Sequence, residues 1–330
     1  MRFGVLDQSP IPEGADASVA LANTIDLARH AERLGFESFW VSEHHNSTGL
    51  AGAAPEILIG AIAAATERIR VGSGGVMLTH YAALKVAEQF KVLAALHGDR
   101  IDLGVGRAPG SDQYTMFALS TSERLRPVDS YPDQVGELVA WLDDTIPPQS
   151  PFAGRVRAVP GADVGPIPVW MLASSPDSAR FAAELGLPLA WAHFFGTMDG
   201  APLVEDYRRS FQPSARHAEP KVSVTTTVIC AETDDEAERL ATSVRTWRNR
   251  GLSGPIPPPA SSATDVEPTG RLTIQGQERP AIIGNPQRCA TELLDLGERF
   301  GADEVLAVTI VWDHDARVRS YELLAGALRL

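Results

Sequence analysis

Two adjacent imidazoles, His44 and His45, follow Trp40, Val41, Ser42 and Glu43 in the stretch WVSEHHNSTG, where an apolar strand gives way to a loop. Histidine changes charge near neutral pH, so one held at a strand end is suited to holding or passing a proton. Successive side chains leave a strand on opposite sides, so only one of the pair can face a shared pocket. Two other uses compete: a structural hydrogen bond, and metal ligation with His193 as a partner. A metal needs three or four converging ligands, and no clear cluster of that kind stands in the sequence.

A second set lies in ASSPDSARFAAELG, residues 173–186. Small hydroxyl residues directly before a helix, together with the free N–H groups of its first turn, make an anion site without a lysine. Plain N-capping by Ser175 or Asp177 is the ordinary alternative, and Asp177 would oppose an anion unless it points away. Arg107, on the neighbouring loop, adds a fork of positively charged donors. The third set is VGSGGVML, residues 71–78. Glycine inside a strand packs nothing, so Gly72, Gly74 and Gly75 suggest a bulge, a cis or strained peptide at Gly74–Gly75, or a flat ligand against bare backbone. A strand that needs small residues for barrel closure explains them nearly as well.

These groups must be positioned by a repeated unit. Four times a helical segment ends in glycine and a short apolar strand follows at once, at Gly35, Gly98, Gly186 and Gly301. Glycine past a helix takes the left-handed conformation that satisfies the last carbonyls. Eight strands are expected, near 3–6, 38–42, 69–77, 101–105, 169–173, 189–193, 221–231 and 304–311, with helices between them; Ser18 reads as the first N-cap. Near-continuous apolar strands alternating with helices point to parallel pairing, hence to a single (β/α)8 TIM barrel over residues 1–330, with an open doubly wound sheet as the competing layout. Two insertions are expected: a small hairpin at 147–165, before the fifth strand, and a long lid near 251–280, rich in proline and glycine. Helix 55–66 is apolar nearly all round, which suggests a subunit interface.

In such a barrel the strand ends and following loops form the active face. That rule gathers Asp7, Glu43, His44, the loop from Met77 to Tyr81, Arg107 to Asp112, Ser174 to Ser178, and His193, Phe194 and Phe195.

The bulk composition narrows the partners. The 330 residues carry 42 acidic against 29 basic side chains, a net charge of −13, which repels phosphate backbones and anionic lipids. Nucleic acid and membrane are therefore poor partner classes. Two cysteines, Cys230 and Cys289, fit a reducing compartment. The opening MRFGVLDQSP reaches Asp7 and Pro10 before a signal-peptide core could form, so a cytoplasmic protein is expected.

The ordered set FGVLDQSP, FWVSEHH, IRVGSGGVML, IDLGVGRAPGSD, ASSPDSARFAAELGLP and GNPQRCATELLDLGERFGADEV resembles the bacterial luciferase-like, flavin-dependent monooxygenase family almost from end to end. The resemblance implies a (β/α)8 fold, usually a homodimer, that uses O2 and reduced FMN delivered by a separate NAD(P)H:flavin reductase. It implies His44 as the base or hydrogen-bonding group beside the flavin, and Arg107, Ser174, Ser175 and Ser178 around the FMN phosphate. Gly74 and Gly75 match the family position where a non-proline cis peptide borders the flavin ring, and Asp112 falls near a family acidic residue counted with His44 as catalytic. Asp7, His193 and Phe194 would border the substrate. A flavin hydroperoxide is the implied oxidant, and the 251–280 segment would exclude the water that destroys it. The substrate would be a hydrophobic small molecule. Some relatives instead use the deazaflavin F420 for hydride transfer; its long anionic tail asks for more Lys or Arg than this mouth offers. A non-catalytic flavin binder would lack the histidine and the lid. Light-emitting members carry a cysteine where this chain has Gly106, so light emission is not expected.

Overall fold

The structure is a computed structural model that describes residues 1–107, 112–119, 130–196, 199–261, 271–274 and 277–330. In chain order the elements are β1 (Arg2–Asp7), α1 (Ala17–Leu34), β2 (Ser38–Val41), α2 (Pro55–Ala65), β3 (Arg70–Ser73), β4 (Val76–Met77), α3 (Ala83–His97), β5 (Ile101–Gly106), α4 (Gln113–Leu119), α5 (Tyr131–Leu142), β6 (Val169–Ala173), α6 (Pro176–Glu184), β7 (Leu189–Ala192), α7 (Ala201–Ser210), β8 (Val222–Cys230), α8 (Asp234–Asn249), β9 (Arg271–Ile274), β10 (Gln277–Gly284), α9 (Pro286–Phe300), β11 (Glu304–Val308) and α10 (His314–Leu328).

Eight parallel strands close on themselves in the order β1-β2-β3-β5-β6-β7-β8-β11, because β11 pairs with β8 on one side and β1 on the other. This is the (β/α)8 barrel, not the open sheet. Alternation divides each strand. Val5, Phe39, Val71, Leu103, Met171, Trp191, Val224 and Val305 pack outward in one core with the helices. Leu6, Trp40, Trp170, Ala190, Leu306 and Val308 fill the inside. The glycine punctuation holds at Gly35 (φ 92°) and Gly301 (φ 55°), which end α1 and α9 in the left-handed region and return N–H groups to the last turn, whereas Gly98 ends α3 at φ 75° and ψ −151°, outside that region. The first N-cap is Asp16, not Ser18; its carboxylate accepts from the N–H groups of Ser18 and Val19.

The strand starts form a packed floor. The guanidinium of Arg70 grips Asp102 through Nε at 3.1 Å and Nη2 at 2.6 Å, and Ser38 donates to Glu304 at 2.8 Å. Above them Trp40 and Trp170 meet edge to face at 5.6 Å. A Cβ on Gly72 would sit 2.9 Å from the Trp40 indole nitrogen, so only glycine admits that ring.

Both expected insertions differ in detail. Residues 147–165 form turns and one short 3-10 turn at Ala162–Val164, with no strand pair. Pro147, Pro148, Pro151 and Pro160 remove donors that a hairpin ladder needs. In the 251–280 segment, residues 251–261 are tied down: the Ile256 N–H donates to Ile11 at 2.7 Å, and the Ile256 side chain is buried. Residues 271–274 and 277–280 pair as an antiparallel β9–β10 hairpin, whose second strand continues beside the outer half of β8. Residues 262–270 and 275–276 lie outside the described residues.

Candidate active site

Because the eight strands run parallel, their C-terminal ends share one rim, and most of the predicted residues sit on it. The expected long third strand is broken into β3 and β4, with a cis peptide between Gly74 and Gly75. These glycines lie against the barrel floor. A Cβ on Gly74 would be 2.6 Å from Leu6 Cδ1, and one on Gly75 would be 2.6 Å from the Gly104 carbonyl oxygen. One strand further on, a Cβ on Gly106 would meet no atom of the described residues within 4 Å.

Strand parity separates the two histidines. His44, on the side of Trp40 and Ser42, shares a hydrogen bond between its Nδ1 and Ser42 Oγ at 3.0 Å, and its backbone N–H donates to Gly52 at 2.8 Å. Among the described residues its Nε2 has no hydrogen-bond partner. Burial, followed by the charge of His45, pushes its pKa down to about 4, so the ring is neutral at pH 7. His45 turns the other way. Its Nε2 lies 2.6 Å from the Glu43 carboxylate, which also accepts from Tyr81 Oη at 2.6 Å and the Met77 N–H at 2.9 Å. Burial, and then the bond to Glu43, pushes the Tyr81 hydroxyl pKa up. Glu43 is therefore the anchor of the loop, clamping β4 and the following turn beneath His44.

Arg107 leaves the end of β5 with its guanidinium 6.0 Å from the ring of Phe181 in α6. That places it beside the serine turn that begins α6. Ser175 is the N-cap of α6, yet its side chain bonds no backbone N–H of the first turn; its Oγ lies 3.3 Å from Ser178 Oγ. Ser178 is buried, Ser174 is exposed, and Asp177 points to solvent, where it faces Arg180. Residues 108–111 lie outside the described residues.

Asp112 caps α4. It accepts from the N–H groups of Tyr114 and Thr115, from Thr115 Oγ1, and from Asn46 Nδ2 at 2.8 Å. Those bonds, Asn46 first, hold its carboxyl well below the usual carboxylate range. It ties the His44 loop to the loop after β5 as a permanent anion.

Two residues expected at the substrate are engaged elsewhere. Asp7 is fully buried, with Oδ1 bound to Arg317 of α10 at 2.5 Å and to the Ser9 N–H at 2.7 Å. A carboxylate sunk in a low-dielectric interior needs such a cation, and Arg317 reaches it across the whole chain length. His193 lies one residue past Ala192, so it faces outward. Its ring packs on Phe300 of α9 at 5.3 Å, near the Asp199–Arg299 ion pair. Burial, then the charge of Arg299, lowers its pKa to about 4. Phe194 is buried in the inner cluster, while Phe195 stands 61% exposed beside it. Sequence reasoning missed α8 and the β9–β10 hairpin. The signal was present in Ala237, Leu240, Ala241, Val244 and Trp247, an apolar helical stripe, and these residues join the cluster inside the barrel.

Comparison with known proteins agrees with this geometry. Residues 1–304 match the family model described as luciferase-like monooxygenase. A luciferase-like monooxygenase of Escherichia coli (strain K12) is 41% identical over 327 residues, covering 98% of this chain and 96% of that protein. The N-acetyl-S-alkylcysteine monooxygenase of Bacillus subtilis (strain 168) is 35% identical over 338 residues, covering 99% and 98%. The crystal structure of apo-MsnO8 superposes with a TM-score of 0.90 at 36% identity, covering 100% of this chain and 98% of that one. Fold, rim and relatives agree, and the chain belongs to the luciferase-like monooxygenase family.

Proposed function

We propose that this chain is a monooxygenase that accepts reduced FMN from a separate NAD(P)H:flavin reductase and uses it with O2 on a hydrophobic small molecule. The observation that carries this reading is the rim itself: a neutral imidazole whose Nε2 has no partner among the described residues, a glycine wall that admits no side chain, no described atom within 4 Å of a Cβ at Gly106, and a cation near two hydroxyls that bond only each other among the described residues. These features fit a flat ring with a phosphate tail. Reduced FMN in that place would supply the electrons that activate O2.

The protein's own part is binding, orientation and proton control. Arg107 with Ser175 and Ser178 would hold the phosphate, aided by the first-turn N–H groups of α6 and by Ser174 at the edge. The bare backbone at Gly74 and Gly75 would take one face of the ring. His44 would hold or move a proton through Nε2, in its neutral form at pH 7. Asp112 acts as a positioning residue, because a carboxylate bound by four donors is a poor proton carrier. Phe194 and the apolar cluster around it would take the substrate and keep water out. For a homodimer, the exposed apolar side chains Ile57 of α2 (72%) and Leu96 of α3 (70%) mark the face that would be covered.

The test is anaerobic titration with reduced FMN and with reduced F420, followed by O2 uptake with aldehydes, ketones and thioethers. The relative named for N-acetyl-S-alkylcysteine makes a thioether the first choice. Tight FMN binding with substrate-dependent uptake supports the proposal. Preference for F420, or peroxide release equal to O2 uptake with every substrate, overturns it.

A further inference from the structure

Strand alternation decides which sulfur atoms of this barrel can meet a guest at the rim. In β4 the outward residue is Val76, which joins Val105 of β5 in the cluster beneath the helices. The two strands are in register there, with Val76 beside Val105 and Met77 beside Gly106. Alternation therefore turns Met77 to the inner side, next to Gly106.

Met77 adjoins each part of the rim that fits a flat ring. Its backbone N–H donates to Glu43 Oε2 at 2.9 Å, which fixes it to the loop that carries His44. It follows the Gly74–Gly75 peptide by two residues. A Cβ on its neighbour Gly106 would meet no described atom within 4 Å, so the methionine side chain has room beside it. Met77 is half-buried, and among the described residues it belongs to neither apolar cluster. A long, polarizable side chain that packs into no core is available to a guest.

Other sulfurs serve as references. Met171 is fully buried in the outer cluster, and Cys230 and Cys289 are sealed in the same cluster. Met1 is 49% exposed and precedes β1, so it lies at the strand-start end, away from the rim. Exposure alone would make Met1 the first of these to meet an oxidant from solvent.

A thioether takes one oxygen atom from a hydroperoxide. The S–O bond forms as the O–O bond breaks, and sulfur gives up two electrons to become the sulfoxide. The proton of the transferred oxygen passes to the oxygen left behind, which leaves as an alcohol or, from hydrogen peroxide, as water. The product is polar where the thioether was apolar, and methionine sulfoxide reductases reverse it.

We propose that Met77 is an oxidation site: a hydroperoxide held in the rim converts it to methionine sulfoxide when no substrate takes the oxygen. The source of that oxidant rests on the monooxygenase reading, whereas the reactivity of the site toward hydroperoxides does not. The full chain is treated in two arms, and its peptides are mass-analysed for a gain of one oxygen. The first arm supplies reduced FMN and air without substrate, with catalase present to remove free hydrogen peroxide. The second adds cumene hydroperoxide, an apolar probe, with no flavin. Both should oxidise Met77 roughly tenfold or more ahead of Met1, because a held oxidant acts at a high local concentration. Met171 should stay intact in both.

A Met77 preference missing from the second arm, or missing from the first while bound flavin consumes O2, overturns the proposal. If FMN fails to bind while the second arm keeps the preference, the flavin reading falls, and Met77 stands as a site oxidised by hydroperoxides from another source.

Discussion

At the strand starts, Arg70 is matched to Asp102 and Ser38 to Glu304, and two tryptophans close the space above them. At the strand ends of the same sheet, His44 leaves a ring nitrogen free, Ser175 caps its helix without a side-chain bond, and Arg248 is buried with an open donor. One end spends its polar groups on itself and gains rigidity. The other end holds them at positions where burial makes an unmet donor costly, a cost that a bound guest can remove. The difference supports the strand ends as the working face proposed above. It also predicts that mutations at the two ends separate stability from function.

The largest effect expected is at the mouth. His44→Ala should leave FMN affinity unchanged and lower coupled product formation about 100-fold or more, the scale of a positioned acid–base group. The measurement is hydroxylated or otherwise oxygenated product per O2 consumed. Equal coupling in the variant would remove His44 from proton control and weaken the contrast between the ends. Next, Arg107→Ala should raise the FMN Kd roughly 10- to 100-fold, as expected for lost charge-assisted hydrogen bonds, with little change in melting temperature. An unchanged Kd would mean the phosphate lies elsewhere on the rim.

The floor should behave in the opposite way. Asp102→Asn removes the carboxylate that holds Arg70 from two directions and should cost roughly 2 kcal/mol of stability by denaturant titration. The FMN Kd and the coupling ratio should not move. A floor variant that kept full stability but lost flavin binding would erase the distinction.

Much of this division was legible in the sequence, because it depends on local rules. The glycine stops at Gly35 and Gly301 marked the helix ends, and period-two alternation said that only one of His44 and His45 could face a shared pocket, the resemblance naming His44. Glycine at 74 and 75 was visible as a wall that packs nothing. What failed to show was long-range or rested on a single residue. Asp7 looked like a mouth carboxylate because its cation, Arg317, is 310 residues away in sequence. His193 looked like a pocket residue because the end of β7 at Ala192 cannot be located to one residue from composition, and one residue reverses the facing. The prolines of 147–165 were read as flanking a hairpin when they exclude one. Helix α8 joins the inner cluster together with Ala281 and Ile283 of β10, a pairing that neither segment alone declared.

The smallest effect expected uses two of the four histidines whose pKa folding lowers, one at the mouth and one in the outer packing. His44 and His193 both fall from 6.5 to about 4 on folding. The unfolded chain therefore takes up protons below about pH 6.5 that the folded chain refuses. That favours unfolding progressively as the pH drops from 6.5 to 4, and the stabilising contribution is fully present above that window. Carboxylates whose pKa is lowered by folding, such as Asp16 and Asp199, give way only below their ordinary value of 3.8, at lower pH. His193→Phe keeps an aromatic ring against Phe300 and removes one of the four histidines that titrate low. Its melting temperature should fall less than that of the wild type between pH 7 and pH 4.5, with FMN affinity and coupling intact. His44→Ala should flatten the same limb while destroying coupling, so the pair distinguishes a histidine that is only buried from one that is buried and used. An acid limb unchanged in His193→Phe would show that its proton is not the one being refused, and would leave the pH sensitivity of the fold to His44, His97 and His217.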